Sequence, residues 1–118
     1  MGLDATIRRP DRAPLGDAAR VKTALSVAFP DLLYTYVDRP TPVRLPLLLR
    51  LFVRIRRTPY PHWHGLVQTD RFAAEFVFPA EAAVPSIGLT LYGRGTASAE
   101  PHLAQLRAST GWEVVYDG

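Results

Sequence analysis

The sequence predicts a single α+β domain over residues 1–118, a two-layer sandwich in which about three helices cover one face of a mostly antiparallel sheet. Segments with strand-like alternation of apolar residues are interspersed with segments of helical spacing, which is typical of this architecture. The chain of 118 residues suffices for one domain and not for two. Apolar residues form 47% and charged residues 21% of the chain, as in ordinary globular proteins.

The N-terminal part of the chain predicts a strand, a helix and a second strand. Residues 3–7 (LDATI) alternate in hydrophobicity as a strand does. From 18 to 29 the apolar residues recur at helical spacing, with Asp17 positioned to cap the helix and Pro30 to end it. Residues 32–37 (LLYTYV) then predict another strand.

Residues 44–57 (RLPLLLRLFVRIRR) combine an apolar run with arginines. On a helical wheel, Arg50, Arg54 and Arg57 group on one side. The opposite side carries Leu45, Leu48, Leu51, Phe52 and Ile55. We therefore predict a helix over 45–57 that covers the sheet and presents its arginines outward. Part of the segment also alternates as a strand would, but its length favours the helix.

The second half of the chain predicts a hairpin followed by a third strand. Residues 62–70 (HWHGLVQTD) and 71–79 (RFAAEFVFP) form its two arms, with QTDR at the turn. The strand 86–93 (SIGLTLYG) comes next. By their period of two, the inward residues of these segments are Phe72, Ala74, Phe76, Phe78, Ile87, Leu89 and Leu91.

The C-terminal part predicts a helix and a final strand. Ser98 is the expected N-cap, Pro101 is tolerated in the first turn, and Gly111 is a natural stop. Leu103 and Leu106 occupy the inward positions of this helix. Residues 112–117 (WEVVYD) close the chain as a strand. The residues expected deepest in the core of the whole domain are Phe29, Phe76, Leu89 and Leu106.

Positive charge is concentrated in the middle of the chain. Between residues 39 and 69 there are six arginines and no acidic residue, whereas the remainder carries eight basic and eleven acidic residues. Such a block attracts acidic partners, so Arg50, Arg54, Arg57 and the neighbouring Trp63 are the predicted partner-binding residues. Nucleic acid is a further alternative, because Trp63 and nearby tyrosines can stack on bases. A single lysine, the leucines between the arginines and the lack of a known nucleic-acid-binding motif argue against it.

Two further groups of residues suggest a ligand. His62 and His64 point to the same side of a strand and could bind a metal with a third ligand such as His102 or Asp70. No sequence rule places that third ligand, so we favour a pair of hairpin-edge histidines beside Trp63 and predict no metal site. Gly93, Arg94 and Gly95 lie between a strand and a helix, where backbone N–H groups can hold an anion. These residues lack the third glycine of a dinucleotide fingerprint and the lysine of a P-loop, which favours an ordinary tight turn.

No catalytic signature is visible, so we predict neither enzymatic activity nor a cofactor. The chain has no cysteine and no G-x-S-x-G serine motif, and its carboxylates show no spacing that pairs them. The lack of cysteine fits a reducing compartment. The N-terminus lacks the apolar segment of a secretory signal, and the longest uncharged run within 44–57, residues 45–49, is far shorter than the ~20 residues of a membrane span. We therefore expect a cytoplasmic protein with no transmembrane segment.

The segments PSIGLTLYGRG and EPHLAQLRASTGWEVVYD, with EFVF and FPDL upstream, carry a resemblance. They are similar to small uncharacterised bacterial α+β proteins that end in a strand, a glycine-containing turn, a short helix and a Gly-Trp strand. The resemblance implies an immunity or accessory protein that binds another protein. Together with the charge distribution, it leads to the hypothesis of a protein-interaction module, immunity or regulatory in role. The alternative is a small metal- or ligand-binding domain or enzyme using His62 and His64.

Overall fold

The computed structural model describes residues 2–38, 61–92 and 96–117. In chain order these residues form β1 (Gly2–Arg8), α1 (Ala18–Ala28), β2 (Leu33–Val37), β3 (His62–Gln68), β4 (Ala73–Pro79), β5 (Ile87–Tyr92), a 3₁₀ turn (Thr96–Ala99), α2 (Glu100–Thr110) and β6 (Glu113–Tyr116). The described residues thus contain two α-helices where about three were expected. The helix predicted over 45–57 lies outside them.

The six strands form one sheet in the order β2-β3-β4-β5-β1-β6. Every neighbouring pair is antiparallel, which confirms the predicted α+β class and the character of the sheet. The first strand, β1, lies between β5 and the last strand, β6. Strands that are distant in sequence therefore pair side by side in the sheet.

One face of the sheet is buried and the other is not. Residues directly opposite each other in an antiparallel ladder share a face. The register places Phe76 opposite Leu89, and Leu89 opposite Ala5. The buried strand residues that belong to the apolar core are Ala5, Ile7, Val67, Ala74, Phe76, Phe78, Ile87, Leu89 and Leu91. They include all the predicted inward residues of β4 and β5, and Phe72 just before β4 is buried as well.

Helix α1 begins where the sequence predicts. The side chain of Asp17 accepts a hydrogen bond of 2.8 Å from the backbone N–H of Arg20, which satisfies a donor that the first turn leaves unpaired. Val21, Leu25 and Ala28 are the buried stripe of the helix. They belong to the same apolar cluster as the buried face of the sheet.

Helix α2 begins differently from the prediction. Ser98 is not its N-cap: the cap is Ala99, with helical dihedral angles and no side-chain hydrogen bond. The 3₁₀ turn already has helical geometry, so Ser98 lies inside a turn and not at the extended position that a capping serine needs. The predicted stop is confirmed, since Gly111 has a φ of 78°, which glycine adopts without steric cost. Among the described residues no helix is long and apolar enough to cross a membrane.

The core is centred on aromatic residues from α1 and the sheet. The ring centroids of Phe29, directly after α1, and Phe76 of β4 lie 5.1 Å apart. Leu103 and Leu106 of α2 belong to the same cluster. The four residues predicted deepest in the core, Phe29, Phe76, Leu89 and Leu106, are each at most 1% exposed.

Truncation of the central aromatic residue should be costly. We expect Phe76→Ala to lower the free energy of unfolding by about 3–5 kcal/mol, because it removes buried apolar surface and leaves a cavity. Val77→Ala, on the next position and the opposite face, is the matched control and should cost clearly less. Urea unfolding of both variants beside the parent protein measures the difference. Equal losses would contradict the assignment of the buried face.

Candidate functional site

Strand β2 forms one edge of the sheet, and within the described residues β3 is its one neighbouring strand. Its sequence, LYTYV, contains no charged residue and no proline. Charged side chains, prolines and shortness are the usual means by which an edge strand avoids pairing with other chains. The opposite edge, β6, is shorter, and its Glu113 forms an ion pair of 2.9 Å with Arg8. The two edges therefore differ, and β2 is the one suited to pairing.

Apolar side chains are exposed on both faces of the β2 edge. Leu33 is 76% exposed and Tyr36 is 51% exposed. Leu33 lies opposite Leu66 of β3, which is 42% exposed, on the face turned away from the helices. Tyr36 lies opposite Trp63 on the helix side. A strand added to β2 would find apolar contacts on both of its own faces.

Tyr34 ties the edge strand to α1. Its hydroxyl donates a hydrogen bond of 2.9 Å to the carbonyl oxygen of Lys22 and lies 3.2 Å from the hydroxyl of Ser26, which then acts as donor. Burial raises the pKa of Tyr34, and the bond from Ser26 partly offsets this. The ring lies against Gly65, where a Cβ atom would come within 3.2 Å of it. The position of β2 is thus fixed by its contact with the helix.

Trp63, a predicted partner-binding residue, lies on the helix side of β3 beside this edge. Nζ of Lys22 lies 3.6 Å from the centroid of its ring, a close cation–π contact. The Tyr36 ring approaches it edge-on, with centroids 5.1 Å apart. Trp63 is half-buried. Its role in binding stays a prediction, but its location next to β2 is compatible with that role.

A groove of about 520 Å³ runs between α1 and β2. Its lining comprises Ala19, Lys22, Thr23, Ser26, Val27 and Tyr34. Val27 is 55% exposed, so the groove has an accessible apolar wall. Lys22 provides a positive charge close to the groove and to the edge strand. We call β2, this groove, the exposed side chain of Leu66 and the half-buried side chain of Trp63 the edge site.

The face of the sheet turned away from the helices carries a polar network. Because a carboxylate only accepts hydrogen bonds, Nε2 of His64 donates to Oε1 of Glu75, at 2.6 Å. The hydroxyl of Tyr92 donates to Oε2 of the same carboxylate, at 2.9 Å. On the neighbouring strands, the Thr90 hydroxyl donates to Oδ1 of Asp4 at 3.0 Å. The hydrogen bond with Glu75 raises the pKa of His64, partial burial opposes this, and the charge of Glu75 adds to the rise.

The histidines and Asp70 that the sequence offered as alternative metal ligands do not come together within the described residues. His62 and His64 do share one face of β3, but His64 is bound to Glu75. His102 lies on the helix side, where it stacks on Phe29 and Nδ1 donates to the carbonyl of Ala28 at 2.9 Å. Asp70 lies in the turn beyond the far end of β3. No group of three histidine, cysteine or acidic residues that could hold a metal ion occurs in the described part of the chain.

The remaining predicted site residues fall outside the described ranges. They are Arg50, Arg54 and Arg57 for partner binding and Gly93, Arg94 and Gly95 for anion binding. Conversely, sequence reasoning missed Leu33, Tyr36 and Lys22. The available signal was the uncharged LYTYV segment, but its position at an edge follows from the strand order, which the sequence alone does not give.

Comparison of this chain with protein-family models, with curated proteins and with solved structures finds no match.

The His64–Glu75 contact predicts a pH-dependent contribution to stability. A raised pKa means that folding favours protonated His64, so this contribution is full below the ordinary pKa of 6.5 and is lost as pH rises through the folded-state pKa. We expect the stability difference between the parent protein and His64→Gln to be larger at pH 6 than at pH 9. Urea unfolding at both pH values tests this expectation.

An NMR titration provides the direct control. The His64 ring should titrate above 6.5 in the parent protein and at a lower pH in Glu75→Gln, which keeps the shape of the side chain but removes its charge. A midpoint at or below 6.5 in the parent protein would show that burial outweighs the contact with Glu75.

Proposed function

We propose that this protein is a protein-interaction module that binds its partner by strand addition at β2. The observation that carries the proposal is the uncharged, proline-free edge strand with exposed Leu33 and Tyr36 on its two faces. An edge strand offers a row of backbone N–H and C=O groups, which supply affinity to an added strand. Side chains that alternate along the added strand supply the specificity.

The arrangement of side chains around β2 defines the contacts of an added strand. Side chains on one of its faces would contact Leu33 and Leu66 on the open side of the sheet. Side chains on its other face would enter the groove between α1 and β2. Tyr34, which forms one wall of this groove, is held against α1 by its hydrogen bond to the backbone carbonyl of Lys22. A groove that is already formed before binding reduces the loss of conformational entropy that binding must offset.

We further propose that the partner carries acidic residues beside its paired strand. Lys22 lies at the groove, and six arginines follow β2 in the sequence between residues 39 and 57. Complementary charge speeds encounter and disfavours basic partners. A cytoplasmic immunity or regulatory protein is the role that we propose for such a module. A nuclease is a poor partner, since its own basic cleft would repel these arginines.

The edge-site proposal predicts a position-specific loss of binding. A photo-crosslinking residue at Leu33 should capture a partner in host cells, whereas one at Leu3, an exposed leucine on the interior strand β1, should not.

With the purified partner, the double variant Leu33→Ser, Tyr36→Ser should bind at least about fivefold more weakly, the loss expected from truncating interface side chains that contribute 1 kcal/mol or more. Leu3→Ser is the matched control and should bind as the parent protein does.

Backbone amide exchange distinguishes strand addition from other modes of binding. The amides of β2 that face away from β3 should become protected when the partner binds, because they would then donate to its backbone. A partner that binds without protecting β2, or that is captured equally from Leu33 and Leu3, would contradict the proposal.

The charge proposal predicts an effect on the rate of association. Replacing Arg50, Arg54 and Arg57 by Glu should slow association with the acidic partner, and the effect should shrink at high salt. Each exposed charge usually changes stability by no more than about 0.5 kcal/mol, so the variant should still fold. Surface plasmon resonance at low and high salt and a melting curve test both statements. Arg12→Glu, at an exposed position outside the edge site, is the control. An unchanged association rate would refute the charge proposal.

A further inference from the structure

A second pocket lies on the other flank of α1 and shares Thr23 and Val27 with the β2 groove. Its volume is about 440 Å³, within the usual range for small-molecule sites. Three parts of the chain converge there: the segment between β1 and α1, α1 itself, and the end of α2 with the residues that follow it. From its lining we infer that this pocket binds a small organic acid, with an apolar body and a carboxylate or phosphate head.

The inner wall of the pocket is apolar. Leu15 is 3% exposed and Trp112 is 6% exposed, and Ala24 packs against the same core cluster. Leu15 is held in place by backbone hydrogen bonds of its segment, since its N–H donates to the carbonyl of Val84 at 2.8 Å. The wall is therefore built from ordered parts of the fold. It would contact the apolar body of a ligand.

The charged groups that line the pocket among the described residues are the guanidinium groups of Arg9 and Arg20. Arg20 has no ion-pair partner among the described residues. Arg9 uses Nε and Nη2 to bind Asp11, at 3.2 and 3.1 Å, which leaves three of its five N–H donors. This ion pair is substantially exposed, with side chains 46% and 58% accessible, so it holds Arg9 only weakly. Within the described part of the chain, no carboxylate lines the pocket.

The hydroxyl groups at the rim are already committed as donors. Thr23 donates to the carbonyl of Ala19 at 3.0 Å, and Ser109 and Thr110 donate to that of Leu106 at 3.2 and 2.6 Å. These bonds also satisfy a carbonyl at the end of α2, where free carbonyls would repel an anion. The guanidinium groups are thus the donors available to a ligand. A group that matches them is a carboxylate or phosphate, because both accept paired N–H bonds from arginine.

The test uses the fluorescence of Trp112 and does not depend on any protein partner. The chain has two tryptophans, so Trp63→Phe leaves Trp112 as the sole reporter. The probes are 3-phenylpropionate and phenyl phosphate, with 3-phenylpropanol as the neutral analogue and inorganic phosphate as the isolated head group. We expect both acids to change the fluorescence saturably and the alcohol to bind at least about tenfold more weakly, as the loss of charge-assisted hydrogen bonds implies. The tighter of the two acids identifies the preferred head group.

Variants assign the binding to this pocket. Arg20→Gln should weaken binding of both acids by about tenfold or more. Arg12→Gln, which lies outside the pocket, should leave it unchanged. The inference is overturned if neither acid binds saturably, if the alcohol binds as tightly as the acids, or if inorganic phosphate binds as tightly as phenyl phosphate. If Arg20→Gln does not fold, the comparison of acids with the alcohol on the parent sequence still decides the question.

Discussion

The burial of one face of the sheet beneath the two helices is the constraint on which the rest of the structure depends. Phe29 and Phe76 meet at its centre, and each strand that contributes to the core does so through every second residue. A shift of one residue in any register would turn these side chains to the opposite face. The alternation of apolar residues along the strands therefore determines which side chains lie on the open face, where they are accessible to a partner. The residues left on the other face include the His64–Glu75 network and the exposed pair Leu33 and Leu66.

The same constraint explains why the two edges of the sheet are not equivalent. Within the described residues the sheet ends in β2 and β6, and an edge strand presents backbone hydrogen-bonding groups. At β6 the strand is short, and the Arg8–Glu113 ion pair adds charge. At β2 the side chains are uncharged and mostly apolar or aromatic, and the Tyr34 hydroxyl anchors the strand to α1. Apolar side chains exposed at an edge strand carry a free-energy cost unless a partner covers them. This cost is the physical basis of the proposed strand addition.

Local periodicity predicted most of the fold because the relevant interactions are local. The helix after Asp17, the hairpin around Thr69, the inward residues of β4 and β5 and the stop at Gly111 all follow from residues close in sequence. The N-cap of α2 was mispredicted because a 3₁₀ turn continues into the helix, and a capping residue alone does not reveal such a turn. The strand order depends on long-range pairing, above all on β1 lying between β5 and β6. For that reason the edge position of β2 was beyond sequence reasoning, as was the contact of Lys22 with Trp63.

Helix α1 connects the two proposed sites through its geometry. With about 100° of rotation per residue, its buried stripe of Val21, Leu25 and Ala28 separates two flanks that face in different directions. One flank, with Lys22 and Ser26, borders the groove beside β2, and the other, with Arg20 and Ala24, borders the pocket beside Trp112. Thr23 and Val27 border both, on the outer surface of the helix. A ligand in the pocket and a strand on the edge would thus contact two flanks of one helix and meet at Thr23 and Val27. Their binding free energies would be coupled through these shared residues and through any movement of α1 on the sheet.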